Sequence, residues 1–260
     1  MAGKVHLIGA GPGDPELLTL RALRLMQSAD VVVYDRLVSP AIMDLIPAAT
    51  RRISVGKAPG FHSVPQDRIN ALLVDLARQG LTVARLKGGD PLIFGRGSEE
   101  AGVLRDAGIS YDYTPGITAA QGAAVSTGVP LTHRGLATSV RYVTGHRALD
   151  ASLTLDWGSL ADPDSTLVVY MGAANIGLIA RQLMAHNLPG ATPVLALSHA
   201  TTPDEIRLLS TLDQIGRDIA GASMPAPVLF IIGRVVSLYN SSALPLPAEL
   251  TEPLRMVANA

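Results

Sequence analysis

From the fourth residue onward, short apolar runs alternate with longer stretches whose apolar residues recur at helical spacing. Runs at 5–8, 31–34, 52–55, 83–86 and 111–114 read as strands. Between them, 16–27, 40–45, 66–79 and 98–106 read as helices, with Leu17, Leu20, Leu23 and Leu25 illustrating the first. This repeated strand–helix rhythm predicts a mostly parallel sheet covered by helices, with ligands at the carboxyl ends of the strands. Those ends carry 9–14, Asp35-Arg36, Gly56-Lys57, 88–91 and 115–118, so five polar or glycine-rich loops are expected along one edge.

After Pro115-Gly116 the pattern changes. A helix of small residues at 118–126 precedes strand candidates at 139–144, 166–171, 194–197, 206–210 and 228–232, with clear helices only at 175–186 and 212–219. That ratio predicts a second α/β domain with a more mixed sheet. The expected organisation is an N-terminal domain over 1–114, a C-terminal domain over 115–240, and a proline-bearing tail of little periodicity over 241–260.

The first loop, Gly9-Ala10-Gly11-Pro12-Gly13-Asp14, imitates a dinucleotide-binding turn. Its first two glycines fit G-x-G-x-x-G, and Asp35 stands at the end of the next apolar run, where a ribose-binding carboxylate would be. The third glycine position, however, holds Asp14. A carboxylate there suits an N-cap with Pro15 in the first helical position, and it would repel a pyrophosphate. The spacing therefore argues against a nicotinamide-dependent oxidoreductase while leaving the loop open to another ligand.

Composition narrows the picture further. With 260 residues, 48% of them hydrophobic, the chain can bury two modest cores. The 21 basic and 22 acidic residues nearly cancel and form no basic stripe, which argues against nucleic acid but not against a small anion held by a local arginine cluster. Cysteine is absent and the six histidines are scattered, so neither disulfides nor a metal site is expected. The N-terminus lacks the pattern of a signal peptide and no apolar run is long enough to span a bilayer, so a cytoplasmic location is the default expectation.

Three features carry candidate chemistry. In Gly88-Gly89-Asp90-Pro91, paired glycines at a strand end would let a ligand approach the backbone, although a tight turn capped by Asp90 explains the same residues. Thr118, in Thr114-Pro115-Gly116-Ile117-Thr118, stands at a helix entry as a hydrogen-bonding group or simply as a cap and hinge. Arg36, Lys57, Arg96, Arg134, Arg141 and Arg147 lie near loops, where several guanidinium forks round one cleft would suit a polyanion.

The ordered set VHLIGAGPGDPELLTL, VVVYDRLVS, VGK, RLKGGDPLIFGRGSEE, TPGITAA, GVPLTHR, VTGH, VVYMG and IIGRVV resembles the tetrapyrrole methylase family across 4–238. The resemblance implies two α/β domains with a cofactor cleft between them, a homodimer, and a stand-alone form without a fused dehydrogenase or chelatase. It implies S-adenosyl-L-methionine as cofactor, with S-adenosyl-L-homocysteine as by-product. The implied reaction places two methyl groups, at C2 and C7, on uroporphyrinogen III to give precorrin-2. Matching motif by motif, Pro12, Gly88, Gly89, Asp90, Ile93, Thr118, Ala119, Met171, Ala200 and Pro227 would contact the cofactor; at Ala200 relatives often carry glycine. Asp35 and Lys57 match proton-transfer positions. Arg96 and Glu99, an i, i+3 pair, would act over the substrate, and Arg36, Arg96 and Arg134 would anchor its carboxylates. The alternatives are a sibling enzyme acting on a later precorrin or on RNA, a non-catalytic tetrapyrrole carrier, and the oxidoreductase.

Overall fold

The structure, a computed structural model, describes residues 3–56, 64–146 and 153–240; Lys57, Arg147 and the tail at 241–260 lie outside the described residues. The chain divides into two compact units, Met1–Gly122 and Ala123–Ala260, and the division falls inside helix α5 (Ala119–Thr127).

In the first unit, β1 (Lys4–Gly9), β2 (Val31–Tyr34), β3 (Arg51–Ser54), β4 (Thr82–Lys87) and β5 (Ser110–Thr114) form an all-parallel sheet in the order β3-β2-β4-β1-β5. The inner strands are largely apolar on both faces because both are covered, with His6 of β1 and Arg85 and Lys87 of β4 as buried exceptions. Val5, Leu7, Val31, Val33 and Val83 pack with Leu73 and Leu76 of α3 (Gln66–Arg78) and with Ala101 and Leu104 of α4 (Gly97–Asp106). On the opposite face, Ile8, Val32, Ala84 and Leu86 meet Ala22 and Met26 of α1 (Leu20–Ser28) and Ile42 and Met43 of α2 (Pro40–Met43). Alternation along each strand sends successive side chains to these two cores.

The second unit holds β6 (Ser139–Thr144), β7 (Ser165–Tyr170), β8 (Pro193–Ser198), β9 (Ile206–Thr211) and β10 (Val228–Ile232), ordered β6-β7-β10-β8-β9. Only β6 and β7 run parallel, and the other pairs are antiparallel, which is the mixed sheet the sparse helices implied. Phe230 and Leu183 are fully buried in its core beside α7 (Ile176–Ala185) and α8 (Ile215–Gly221). A single-turn helix, α6 (Trp157–Leu160), is capped by Asp156 and has no counterpart in the sequence pattern. No helix among the described residues is long and apolar enough to cross a membrane.

The first predicted helix needs correction. Asp14 does act as an N-cap, accepting a hydrogen bond from Glu16 N at 2.8 Å with Pro15 at the first position, but only of a 3-10 turn at Pro15–Leu17. Leu18 and Thr19 are extended, and Thr19 Oγ1 caps the true helix by accepting from Ala22 N at 3.1 Å. Leu20 is consequently 86% exposed, while Ala22 and Met26 face the core. The leucine spacing ran across a break that local capping chemistry imposed.

Two features of the first sheet generate testable outcomes. A β-carbon on Gly116 would lie 2.2 Å from Gly89 O, a backbone atom that cannot step aside. Gly116→Ala is expected to lower unfolding stability by roughly 2–3 kcal/mol in urea denaturation of the full chain. Asp112 faces its register partner His6 across β5 and β1, with His6 Nδ1 at 2.8 Å and Lys4 Nζ at 2.9 Å. Burial pushes the Asp112 carboxyl up, but the hydrogen bonds from His6 and Lys4 outweigh it and hold it below the ordinary aspartate value. A depressed folded-state pKa adds stability above the unfolded value, and that stability is lost as pH falls through the folded value. Asp112→Asn is expected to cost about 1 kcal/mol at neutral pH and progressively less below about pH 4, read from urea unfolding as a function of pH.

Candidate functional site

The carboxyl edge of the first sheet is built by glycines that pack on one another. Gly11 N donates to Gly89 O at 3.1 Å and Gly89 N to Gly11 O at 2.7 Å, joining the first loop to the loop after β4. Gly9 and Gly116 are in backbone contact, and a β-carbon on Gly9 would lie 2.4 Å from Gly116 N. Gly88 is likewise filled, since its β-carbon would lie 2.6 Å from Leu37 Cβ. The paired glycines Gly88 and Gly89 were expected to let a ligand approach the backbone; at Gly88 the side-chain position is taken by Leu37, as it is by neighbouring backbone at Gly9 and Gly116. Gly89 differs. With φ +69°, its missing side chain borders only Thr118 Cα and Ala119 N, each at 3.8 Å, so a cradle opens there.

Asp90 fastens this arrangement. Its Oδ1 accepts from Leu92 N at 2.8 Å and its Oδ2 from Gly116 N at 3.1 Å, so the carboxylate that could contact a ligand is also the turn cap. Pro12, Gly88, Gly89, Asp90, Thr118 and Ala119 are thereby gathered at the ends of β1, β4 and β5. The loop that follows winds tightly over Pro91, where β-carbons on Gly95 or Gly97 would lie 2.7 and 2.5 Å from Pro91 O. It puts Phe94 and Arg96 in left-handed conformations, φ 52° and 58°. Such backbone costs non-glycine residues roughly 1–2 kcal/mol each and is concentrated at functional sites. Leu92, Ile93 and Phe94 are left exposed on this loop.

The predicted pair Arg96–Glu99 is present and bidentate. Arg96 Nε reaches Glu99 Oε1 at 2.9 Å and Nη2 reaches Oε2 at 2.7 Å. This hydrogen bond lowers the Glu99 pKa and raises that of Arg96, keeping both charged. Both side chains are about half exposed, so the pair contributes little to stability and shows its charge to the surface.

Asp35, in the turn after β2, is only partly exposed. Its Oδ1 accepts from Leu37 N at 2.9 Å, and its Oδ2 lies 3.7 Å from Arg85 Nη1. Arg36 is exposed, and its backbone packs against Gly56. Arg134 is exposed on the loop between α5 and β6. Arg141, grouped with these arginines in the sequence, is not available as an anchor. Its guanidinium donates to both oxygens of Ser159 and lies 3.7 Å from Asp162.

The candidates of the second unit sit on strained turns at strand ends. Met171, after β7, has φ 54° and is 49% exposed. Ala200 stands between His199 and Thr201, whose φ values are 50° and 68°. This turn is held by Glu205, which was not selected from the sequence. The buried Glu205 carboxylate accepts from Thr201 N at 2.6 Å and from Arg207 Nε at 2.5 Å. Pro227 is exposed before β10 and follows a cis peptide bond. A groove of about 500 Å³ between α7 and α8 is lined by Ala173, Asn175, Arg181, Met224 and Val228 among others.

Sequence reasoning also passed over the charged interior beneath Asp35. Arg85 and Lys87, two residues apart on the central strand β4, point to the same covered face and are buried. Both meet Glu100 of α4, itself fully buried. Burial pushes the Lys87 amine down, Arg85 adds to the depression, and Glu100 opposes it. Two bases in one apolar-flanked strand are a legible signal, because a central strand has no solvent to offer them.

Three comparisons bear on this arrangement. Residues 4–216 match the profile of the family described as Tetrapyrrole (Corrin/Porphyrin) Methylases. The chain is 64% identical over 258 residues to a uroporphyrinogen-III C-methyltransferase of Paracoccus denitrificans, covering 99% of this chain and 89% of that protein. It is 51% identical to a siroheme synthase of Hahella chejuensis over 91% of this chain and 50% of that protein, so it spans about half the length of that relative. Among solved structures, the uroporphyrin-III C-methyl transferase of Thermus thermophilus complexed with S-adenyl homocysteine is similar at 39% identity and a TM-score of 0.76, covering 90% of this chain and 93% of that one. A family match over most of the chain, a near-full-length relative and the same two α/β units agree: the chain belongs to the tetrapyrrole methylase family.

Proposed function

We propose that this chain methylates uroporphyrinogen III from S-adenosyl-L-methionine, adding methyl groups in turn at C2 and C7 to give precorrin-2. The observation that carries the reading is the joining of three strand-end loops, 9–14 to the Gly88–Asp90 turn through Gly11 and Gly89 and that turn to 115–118 through Asp90, with Asp35 in the neighbouring strand-end turn. The near-full-length similarity to the Paracoccus enzyme and to the Thermus complex with its nucleoside thioether supports the same substrate and cofactor.

The residues present fit the cofactor. Gly89 leaves a cradle against Thr118 and Ala119, and backbone groups with a carboxylate suit an adenosine and an amino-acid tail. On the first unit Pro12, Gly88, Gly89, Asp90, Ile93, Thr118 and Ala119 would hold it; the family resemblance names Met171, Ala200 and Pro227 as further candidates. Bound S-adenosylmethionine supplies a methyl group already activated on a sulfonium. The protein's remaining tasks are to align the pyrrole carbon with that methyl and to receive the proton the macrocycle loses.

The exposed apolar run Leu92–Phe94 beside the Arg96–Glu99 pair suits a ligand with an apolar ring system and an anionic rim. Arg96, oriented by Glu99, anchors a carboxylate of the substrate, with Arg36 and Arg134 as further anchors. Asp35, held at Leu37 N, accepts the proton, and Lys57 is its partner in proton transfer. The family resemblance supports a homodimer working in the cytoplasm, and the near-neutral charge supports a small-molecule substrate over nucleic acid.

Three outcomes test the reading. Anaerobic incubation with S-adenosylmethionine and uroporphyrinogen III should add two methyl groups by mass spectrometry, and S-adenosylhomocysteine should bind where NADH does not. An otherwise folded protein that adds none, or that methylates only a later precorrin, contradicts it. Arg96→Gln should raise the KM for uroporphyrinogen III about tenfold or more while leaving S-adenosylhomocysteine affinity within about twofold, as expected for a charge-assisted contact to substrate alone.

A further inference from the structure

Three charged side chains are packed into the first unit under the turn that carries Asp35. Arg85, Lys87 and Glu100 are 3%, 4% and 0% exposed. One oxygen, Glu100 Oε1, accepts from Arg85 Nε at 3.2 Å, Lys87 Nζ at 2.8 Å and Gln66 Nε2 at 3.2 Å. The other, Oε2, has no partner among the described residues. Removing each ion from water costs several kcal/mol, and apolar residues of similar volume would fill such a core at least as well. The cluster is therefore poorly explained by stability alone.

Its geometry points outward. The guanidinium of Arg85 is held on one side by Glu100 and by Leu86 O, to which Nη1 donates at 2.9 Å. The same Nη1 lies 3.7 Å from Asp35 Oδ2, within ion-pair reach. Two buried cations face one buried anion, and the quarter-exposed Asp35 carboxylate supplies the missing negative charge. Asp35 thus accepts a hydrogen bond at Oδ1 from Leu37 N, while its Oδ2 lies within ion-pair reach of a guanidinium that Glu100 and Leu86 O hold in place. A guanidinium can hydrogen-bond one carboxylate and still present its charge to a second because its donors diverge from a rigid plane, which an ammonium cannot reproduce.

We propose that Arg85, clamped by Glu100, is a positioning residue that holds the Asp35 carboxylate in its working orientation at the mouth of the site. The proposal rests on the reading of Asp35 as proton acceptor, and the two fail in different ways. Steady-state methyl transfer to uroporphyrinogen III is measured for Asp35→Asn, Arg85→Gln, Arg85→Lys and the Asp35→Asn/Arg85→Gln double variant, each checked by urea unfolding and by S-adenosylhomocysteine titration. Arg85→Gln should lower kcat about tenfold with KM within about twofold, since misplacing a reacting group penalises the chemical step. The double variant should be within about twofold of Asp35→Asn alone, because nothing then remains to be positioned. Arg85→Lys, which keeps the buried charge and carries the test should Arg85→Gln not fold, should also lower kcat, by less than Arg85→Gln does. Losses that multiply in the double variant, an effect of Arg85→Gln confined to KM or to stability, or wild-type kcat in the Arg85 variants with a slow Asp35→Asn, overturn the proposal alone. Wild-type kcat in Asp35→Asn overturns the reading of Asp35 and the proposal with it.

Discussion

The first unit depends on a contact between backbones. Gly9, at the end of β1, and Gly116, after β5, approach so closely that neither tolerates a β-carbon, and Gly89 O lies in the same junction. Without that approach the loops after β1, β4 and β5 could not share an edge, and the Gly11–Gly89 hydrogen bonds and the Asp90–Gly116 contact could not form together. Parallel strands bring their carboxyl ends to one side, but it is the missing side chains that let the loops there merge into a single wall. The loop 115–118 belongs to the first unit for this reason, even though the sequence texture changes at its start.

On this frame, the two units bear their candidate residues differently. In the first, the positions are secured by polar contacts to rigid elements: Asp90 by two backbone donors, Arg96 by a bidentate carboxylate, and Asp35 by a backbone amide with a buried guanidinium at ion-pair distance. In the second, Met171, His199 and Thr201 hold left-handed backbone that their side chains disfavour. The buried Glu205 braces one of these turns, offsetting the strain with charge-assisted hydrogen bonds. Ala200 thus occupies a turn whose flanking residues already accept the conformation that glycine would have eased.

The elements themselves were largely legible from periodicity. Ten strands were expected and each lies within about a residue or two of its observed bounds, as the usual uncertainty of element ends allows. Errors arose where a local competitor overrode the pattern. The leucines near the N-terminus kept helical spacing through Leu18 and Thr19, yet capping by Asp14 and then Thr19 split the segment in two. The arginines looked equivalent as a set, but Arg141 is consumed by Ser159 and Asp162 while Arg96 is held for display by Glu99.

What the sequence determined by itself was the kind of protein: alternating strands and helices, loops at one sheet edge, a set of motifs shared with tetrapyrrole methylases, and Asp14 where a phosphate-binding glycine would be. These follow from local propensity and from spacing, which are properties of neighbouring residues. Only the tertiary structure decided which glycines pack and which one opens, and which charges face solvent and which are buried. Gly88 and Gly89 are adjacent and chemically identical, yet Leu37 fills the space beside one while the other is left free. Glu99 and Glu100 are adjacent too, and one pairs with Arg96 at the surface while the other anchors Arg85 and Lys87 inside. Such differences are set by partners distant in the chain, brought near only when the sheet and its covering helices have formed.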